Sequence, residues 1–199
     1  IVLAEFVSND RSQIENEAKE AEQNISHLLL KTRLIKTDAE RNKYFDIRRD
    51  SFKLLSDHSK GLRTAPFIDD VAIPVEKLPE YLPELTRLLD EYKLLYTIAG
   101  HLGNGNLHII PLMDFNDPKT KDVIIELSPK VYTLVKKYGG TMTAEHNDGI
   151  IRTPFVPLLF GSHMAGVFSE IKEAFDPKNM FNPGKKVGGT IEDISKYIQ

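Results

Sequence analysis

The sequence contains no cysteine. Disulfides, thiolate metal sites and iron–sulfur ligation by this chain are therefore excluded. No apolar run approaches the roughly 18 residues a membrane-spanning helix needs. Positive charge is not in excess. The 26 Lys and Arg stand against 29 Asp and Glu, a formal net charge of -3, which is the reverse of a general nucleic-acid binder's basic footprint. No internal repeat, no low-complexity tract and no glycine-rich phosphate loop ahead of a helix is present. The start carries no secretory leader pattern, so a cytoplasmic location is expected, at most peripheral at the inner face of a membrane. The opening "IVLAEFV" reads like the middle of a strand, so the sequence is expected to be a piece of a longer protein. What remains is a 199-residue chain with 41% hydrophobic and 28% charged residues, the balance of a globular domain with a core.

The pattern predicts both helices and strands. "IVLAEFVS" (1–8) reads as a strand. Apolar residues Ile14, Ala18, Ala21, Ile25 and Leu28 then recur by threes and fours, predicting a helix capped by Ser8, Asn9 or Asp10. "TRLIKT" (32–37) is a candidate returning strand. A charged helix is expected around Arg41 to Leu55, and Lys60-Gly61 marks a break. "IDDVAIPV" (68–75) is expected to be a strand. Leu78, Leu82, Leu85, Leu89 and Tyr92 lie on one helical face, with Pro79 and Pro83 blurring its start. "LLYTIAG" and "NLHIIPLM" follow as strands. Val123, Leu127, Val131, Val135 and Tyr138 predict a helix ended by Gly139-Gly140. "GTMTAEH" is a candidate short strand. The last predicted helix covers 161–175, with Met164, Phe168, Ile171 and Phe175 inward, before the loop "DPKNMFNPGKKV". The order strand–helix–strand–strand–helix–strand is that of a ferredoxin-like α+β unit with helices packed on an antiparallel sheet.

The stretch "AGHLGNGNLHIIP" carries two histidines around a glycine-rich turn. Asn104-Gly105 is a two-residue hairpin signal. Such a turn would set His101 directly opposite His108, with Cβ atoms about 4.5–5.5 Å apart on one face. Two facing imidazoles can hold one divalent metal, and a third ligand is then needed. Candidates are His27, His58, His146 and His163, together with acids. "GGTMTAEHNDG" offers Glu145 and His146, where one residue could ligate and the other serve as a base. A solvated loop is the plainer alternative for that segment. Arg48, Arg49 and Arg152 read most simply as solvated surface.

Four segments, "DDVAIP", "GHLGNGNLHIIP", "GGTMTAEHNDGIIR" and "FDPKNMFNPGKKV", occur in an order and spacing that resemble the C-terminal substrate domain of the FAD-linked 2-hydroxyacid dehydrogenases of the vanillyl-alcohol-oxidase type. The likeness spans essentially the whole chain, residues 1–199 as a single domain. It implies oxidation of a D-2-hydroxy acid, D-lactate- or glycolate-like, to the 2-oxo acid, with hydride passing to FAD. It implies a zinc or manganese site at His101, His108 and Glu145, and His146 as the general base. "FDIR" puts the substrate carboxylate on Arg48. Asn182 and Lys185 fall toward the flavin. The implied partners are the hydroxy acid, an upstream FAD-binding domain that holds most of the cofactor, and a separate or fused iron–sulfur electron-transfer protein. No nucleic-acid partner is expected. Phe45 stands where tryptophan is usual, Asn104 where aspartate is common, and Asn147 where glycine is usual. Ile110 occupies a place where members often carry asparagine or arginine. Two other readings stay open from the residues alone. One is a metal-dependent hydrolase using the same His101, His108 and Glu145. The other is a non-catalytic α+β interaction module.

Overall fold

The computed structural model describes residues 2–59 and 61–198, without the side chains of residues 51–54, 56 and 58. Lys60, one half of the expected break, lies outside the described residues. Packing divides the chain into two compact units, Ile1–Leu54 and Leu55–Gln199.

The first unit holds helix α1, Arg11–Ile25, and most of α2, Asp38–His58. Of the three candidate caps, Asp10 takes the role. Its Oδ1 accepts the Ser12 N–H at 2.8 Å, satisfying one of the donors a helix start leaves open. No residue of α1 is fully buried. Among the described residues, no strand forms in either of the segments expected at 1–8 and 32–37. A strand persists only where a neighbour completes its backbone hydrogen bonds, and no ladder includes either segment among the described residues.

The second unit is built on a small antiparallel sheet. Its central strand is β4, Asn106–Met113. Strand β3, Leu95–His101, pairs along one side. Along the other side lie two short strands, β1 at Arg63–Thr64 and β2 at Val71–Ala72. Thr141 forms a single antiparallel bridge to Ala72. Helix α3, Leu78–Glu91, connects β2 to β3, and α4, Lys119–Lys137, connects β4 to that bridge. The strand–helix–strand–strand–helix–strand order is thus the expected one, with its last strand reduced to one bridge. The expected strand 68–75 shrinks to two residues. Asp70 sits at φ 63, a left-handed conformation that breaks extended backbone ahead of Val71.

The core explains which side of the sheet is left for function. Leu107 and Ile109 of β4 pack with Val71, with Tyr81, Leu85 and Leu89 of α3, and with Leu127, Val131 and Val135 of α4. Side chains alternate along a strand, so Asn106 and His108 project from the opposite face. A second cluster joins Tyr132 of α4 and Met142 to Phe155, Val156 and Ile194. It ties down the segment after Thr141, together with α5 (Gly149–Arg152), α6 (Val156–Phe175) and α7 (Ile191–Tyr197). Helix α7 lies beyond the last segment read from sequence, and a reciprocal Thr190–Asp193 capping box starts it. Gly161, at φ 83 and ψ 160, interrupts α6. Of the face expected to point inward there, Phe168 packs against the second cluster, whereas Met164, Ile171 and Phe175 are exposed. Periodicity identifies an apolar face but not what covers it. No described helix is long and apolar enough to cross a membrane.

Candidate metal centre

The hairpin between β3 and β4 differs from the expected two-residue turn. Leu102–Asn104 forms a 3-10 turn and Gly105 alone takes the left-handed conformation, at φ 69. His101 therefore pairs with Asn106, and His108 with Ala99. The register differs from the expected one by two residues. A shift of two keeps every side chain on its face, whereas a shift of one would invert it. The histidines are diagonal neighbours rather than direct partners, and their rings still meet edge to face with centroids 5.7 Å apart.

The segment carrying Glu145 and His146 comes to the same face. Glu145 Oε1 lies 3.2 Å from His108 Nε2, 3.3 Å from His146 Nε2 and 3.8 Å from His101 Nε2. The His146 ring stacks on that of His108, centroids 5.1 Å apart. Three imidazole nitrogens thus converge on one carboxylate oxygen. Tetrahedral ligands on bonds of about 2.1 Å stand about 3.4 Å from one another, so the spacing and the N/O donor chemistry fit a divalent ion.

Two consecutive aspartates support this cluster. Asp69 Oδ1 lies 3.1 Å from His108 Nδ1. An ionised carboxylate only accepts, so this contact places the ring proton on Nδ1 and leaves the Nε2 lone pair toward Glu145. Asp69 Oδ2 is also 3.7 Å from His146 Nδ1. Asp70 has no exposed surface. Its carboxylate accepts the backbone N–H groups of Ala144, Glu145 and His146 at 2.8–3.2 Å, and the Asn106 side-chain amide at 3.0 Å. Arg152 Nη1 stands 3.7 Å from Oδ2. Burial alone would raise the Asp70 pKa. The hydrogen bonds, led by the one from His146, outweigh it and hold the carboxyl below its ordinary value. Both oxygens are engaged in anchoring the loop, and ligand atoms of Asp70, His108, Glu145 and His146, one from each, lie within 4.8 Å of one another.

The loop continues into a further buried network. Asn147 takes φ 68, a conformation asparagine tolerates. Asp148 is buried, accepts the Thr143 hydroxyl at 2.7 Å and pairs with Lys186. Arg152 is 4% exposed and donates to the Asn147 carbonyl at 2.8 Å. The reading of Arg152 as solvated surface is thereby corrected. Among the remaining sequence candidates, His27 and His163 are exposed, and the His58 side chain lies outside the described residues. Arg48 is exposed on α2 of the first unit. Asn182, at φ 47, and Lys185 adjoin each other, Lys185 Nζ to Asn182 Oδ1 at 3.4 Å. Their loop joins the centre's surroundings through Lys186. Sequence reasoning assigned no role to Asp69, Asp70, Asn106 or Lys186. The available signal was an acid pair inside the apolar run "FIDDVAIP".

An α+β domain with a histidine–carboxylate centre at the end of a hairpin defines the class of protein. The chain belongs to the family described as FAD linked oxidases, C-terminal domain, which it matches over residues 1–186, across both compact units. It is 33% identical to a D-2-hydroxyglutarate dehydrogenase of Pseudomonas putida over 189 residues, covering 93% of this chain and 19% of that protein. It is 30% identical to the glycolate oxidase subunit GlcD of Escherichia coli over 181 residues, 87% of this chain and 35% of that protein. A probable mitochondrial D-lactate dehydrogenase of Danio rerio is 29% identical over 116 residues, 58% of this chain and 23% of that protein. The chain thus spans between a fifth and about a third of the length of these relatives.

Proposed function

We propose that this chain is the substrate- and metal-binding part of an FAD-linked enzyme that oxidises a D-2-hydroxy acid, D-lactate- or glycolate-like, to the 2-oxo acid. The observation that carries the reading is the convergence of His101, His108 and His146 on Glu145 Oε1 at 3.2–3.8 Å. His101, His108 and Glu145 would hold zinc or manganese, both suited to imidazole and carboxylate donors. When bound, the divalent ion supplies Lewis acidity toward an alcohol oxygen, and FAD supplies a hydride acceptor. His146 Nε2 would take the hydroxyl proton, so that the imidazole becomes protonated as the alcohol is oxidised to the 2-oxo acid. The family likeness assigns the substrate carboxylate to Arg48, whose guanidinium offers a fork of donors. Asn182 and Lys185 would contribute to the flavin's surroundings, with most of the cofactor held by a domain outside this chain. An iron–sulfur electron-transfer partner and a cytoplasmic location belong to the same proposal.

The test uses the full-length enzyme. His146→Ala is expected to lower kcat by about 10²–10⁴-fold, the usual cost of losing a general base, with metal content close to wild type. His108→Ala is expected to lose metal and turnover together. If His146→Ala loses the metal yet regains turnover when metal is added in excess, His146 is a ligand and the base is another residue.

A further inference from the structure

The loop bearing Glu145 and His146 has little regular structure of its own, yet it sets Glu145 Oε1 3.2 Å from His108 Nε2 and stacks the His146 ring on that of His108. Asp70 accounts for this. Three consecutive loop amides, those of Ala144, Glu145 and His146, all donate to one carboxylate. The same carboxylate takes the side-chain amide of Asn106, the first residue of β4 and two before His108. One buried anion therefore joins the loop to the strand, with the buried Arg152 guanidinium nearby as a counter-charge. The left-handed backbone at Asp70 lets neighbouring side chains diverge, Asp69 toward the His108 ring and Asp70 toward the loop amides. A left-handed residue that is not glycine is an outlier that persists only where its surroundings hold it.

We propose that Asp70 is the positioning residue of the centre. Its carboxylate, acting through the 144–146 amides, holds Glu145 and His146 against His108. The proposal rests on the metal-binding reading above and adds the means by which the site is built.

Asp70→Asn separates charge from conformation, because asparagine tolerates the same left-handed backbone but turns an amide N–H₂ toward loop N–H groups. The full-length protein is stripped of metal with a chelator and titrated with Mn²⁺ or Zn²⁺, and amide exchange is followed in the metal-free form. Asp70→Asn is expected to bind the ion about 10–100-fold more weakly, as losses of outer-shell partners do, and to exchange faster at 144–146. Affinity within twofold of wild type overturns the proposal. So does weaker binding with unchanged exchange, which would make Asp70 a ligand itself. His108→Ala runs in parallel. If it binds like wild type, the metal reading falls together with the proposal. If it fails to bind while Asp70→Asn binds normally, only the positioning role falls. Should Asp70→Asn not fold, Asn106→Ala decides by removing one donor to the same carboxylate. A smaller loss of affinity in the same direction is expected, and unchanged affinity overturns the proposal.

Discussion

Gly105→Ala tests whether the hairpin geometry that sets His101 and His108 on one face is the one described. Gly105 lies at φ 69, and a Cβ added there would meet the Ile73 carbonyl oxygen at 1.8 Å. The obstacle is backbone, so no rotamer change relieves it. The Gly105 carbonyl also accepts the Ile73 N–H at 3.0 Å, and the movement that clears the clash loosens that bond. A left-handed non-glycine residue costs about 1–2 kcal/mol, and a lost hydrogen bond about 0.5–1.5 kcal/mol. A destabilisation of about 1.5–3.5 kcal/mol follows. Gly103→Ala is the matched control two residues away. Its added Cβ meets nothing within 4 Å and its backbone is not left-handed, so it should stay within about 0.5 kcal/mol of wild type. Urea unfolding reads both, with the midpoint falling for Gly105→Ala and the slope unchanged. Metal affinity should fall with it, because the turn sets the His101–Asn106 register. Equal stabilities for the two variants would refute the turn and the register together.

Leu127→Ala should cost about 2–5 kcal/mol, because Leu127 is fully buried between α4 and the sheet; a change below 1 kcal/mol in urea unfolding (about the low end for any core truncation) would argue against that packing. Tyr132→Phe removes a buried hydroxyl that donates to the Phe67 carbonyl at 2.6 Å, and a loss of about 1–2 kcal/mol is expected. Asp176 gives a pH signature. The hydrogen bond from Lys172 leads, with the amides of Phe181 and Met180 adding to it, and together they overcome burial to lower its carboxyl from 3.8 to about 2. A depressed folded-state value stabilises above the ordinary one, so the contribution is complete above 3.8 and is lost as pH falls through about 2. The stability gap between wild type and Asp176→Asn should therefore close over that window, and a gap that persists unchanged would contradict the assignment.

Much of the second unit was legible because its signals are local and periodic. The faces of α3 and α4 and the two long strands β3 and β4 follow from spacing alone. Gly139 ends α4 in the left-handed conformation expected of such a glycine. Other features depended on tertiary context. The segments 1–8 and 32–37 have strand-like composition but no ladder partner among the described residues. The apolar residues of α6 repeat at helical spacing, yet Met164, Ile171 and Phe175 are exposed. At the site, the pairing of His101 with His108 was readable on the right face and in the wrong register, because the turn signal fixes parity more securely than loop length. Asp69 and Asp70 were opaque for a different reason. Their partners lie 39 residues away in His108 and 74–76 residues away in the Ala144–His146 loop, and no spacing rule reaches that far.

The central claim is that His101, His108 and Glu145 hold one divalent ion. Equilibrium titration of the metal-free full-length protein with zinc or manganese tests it most directly, comparing wild type with the His101→Ala, His108→Ala double variant. One ion per chain is expected for wild type and none for the double variant at the same concentrations. Equal uptake by the two proteins would contradict it.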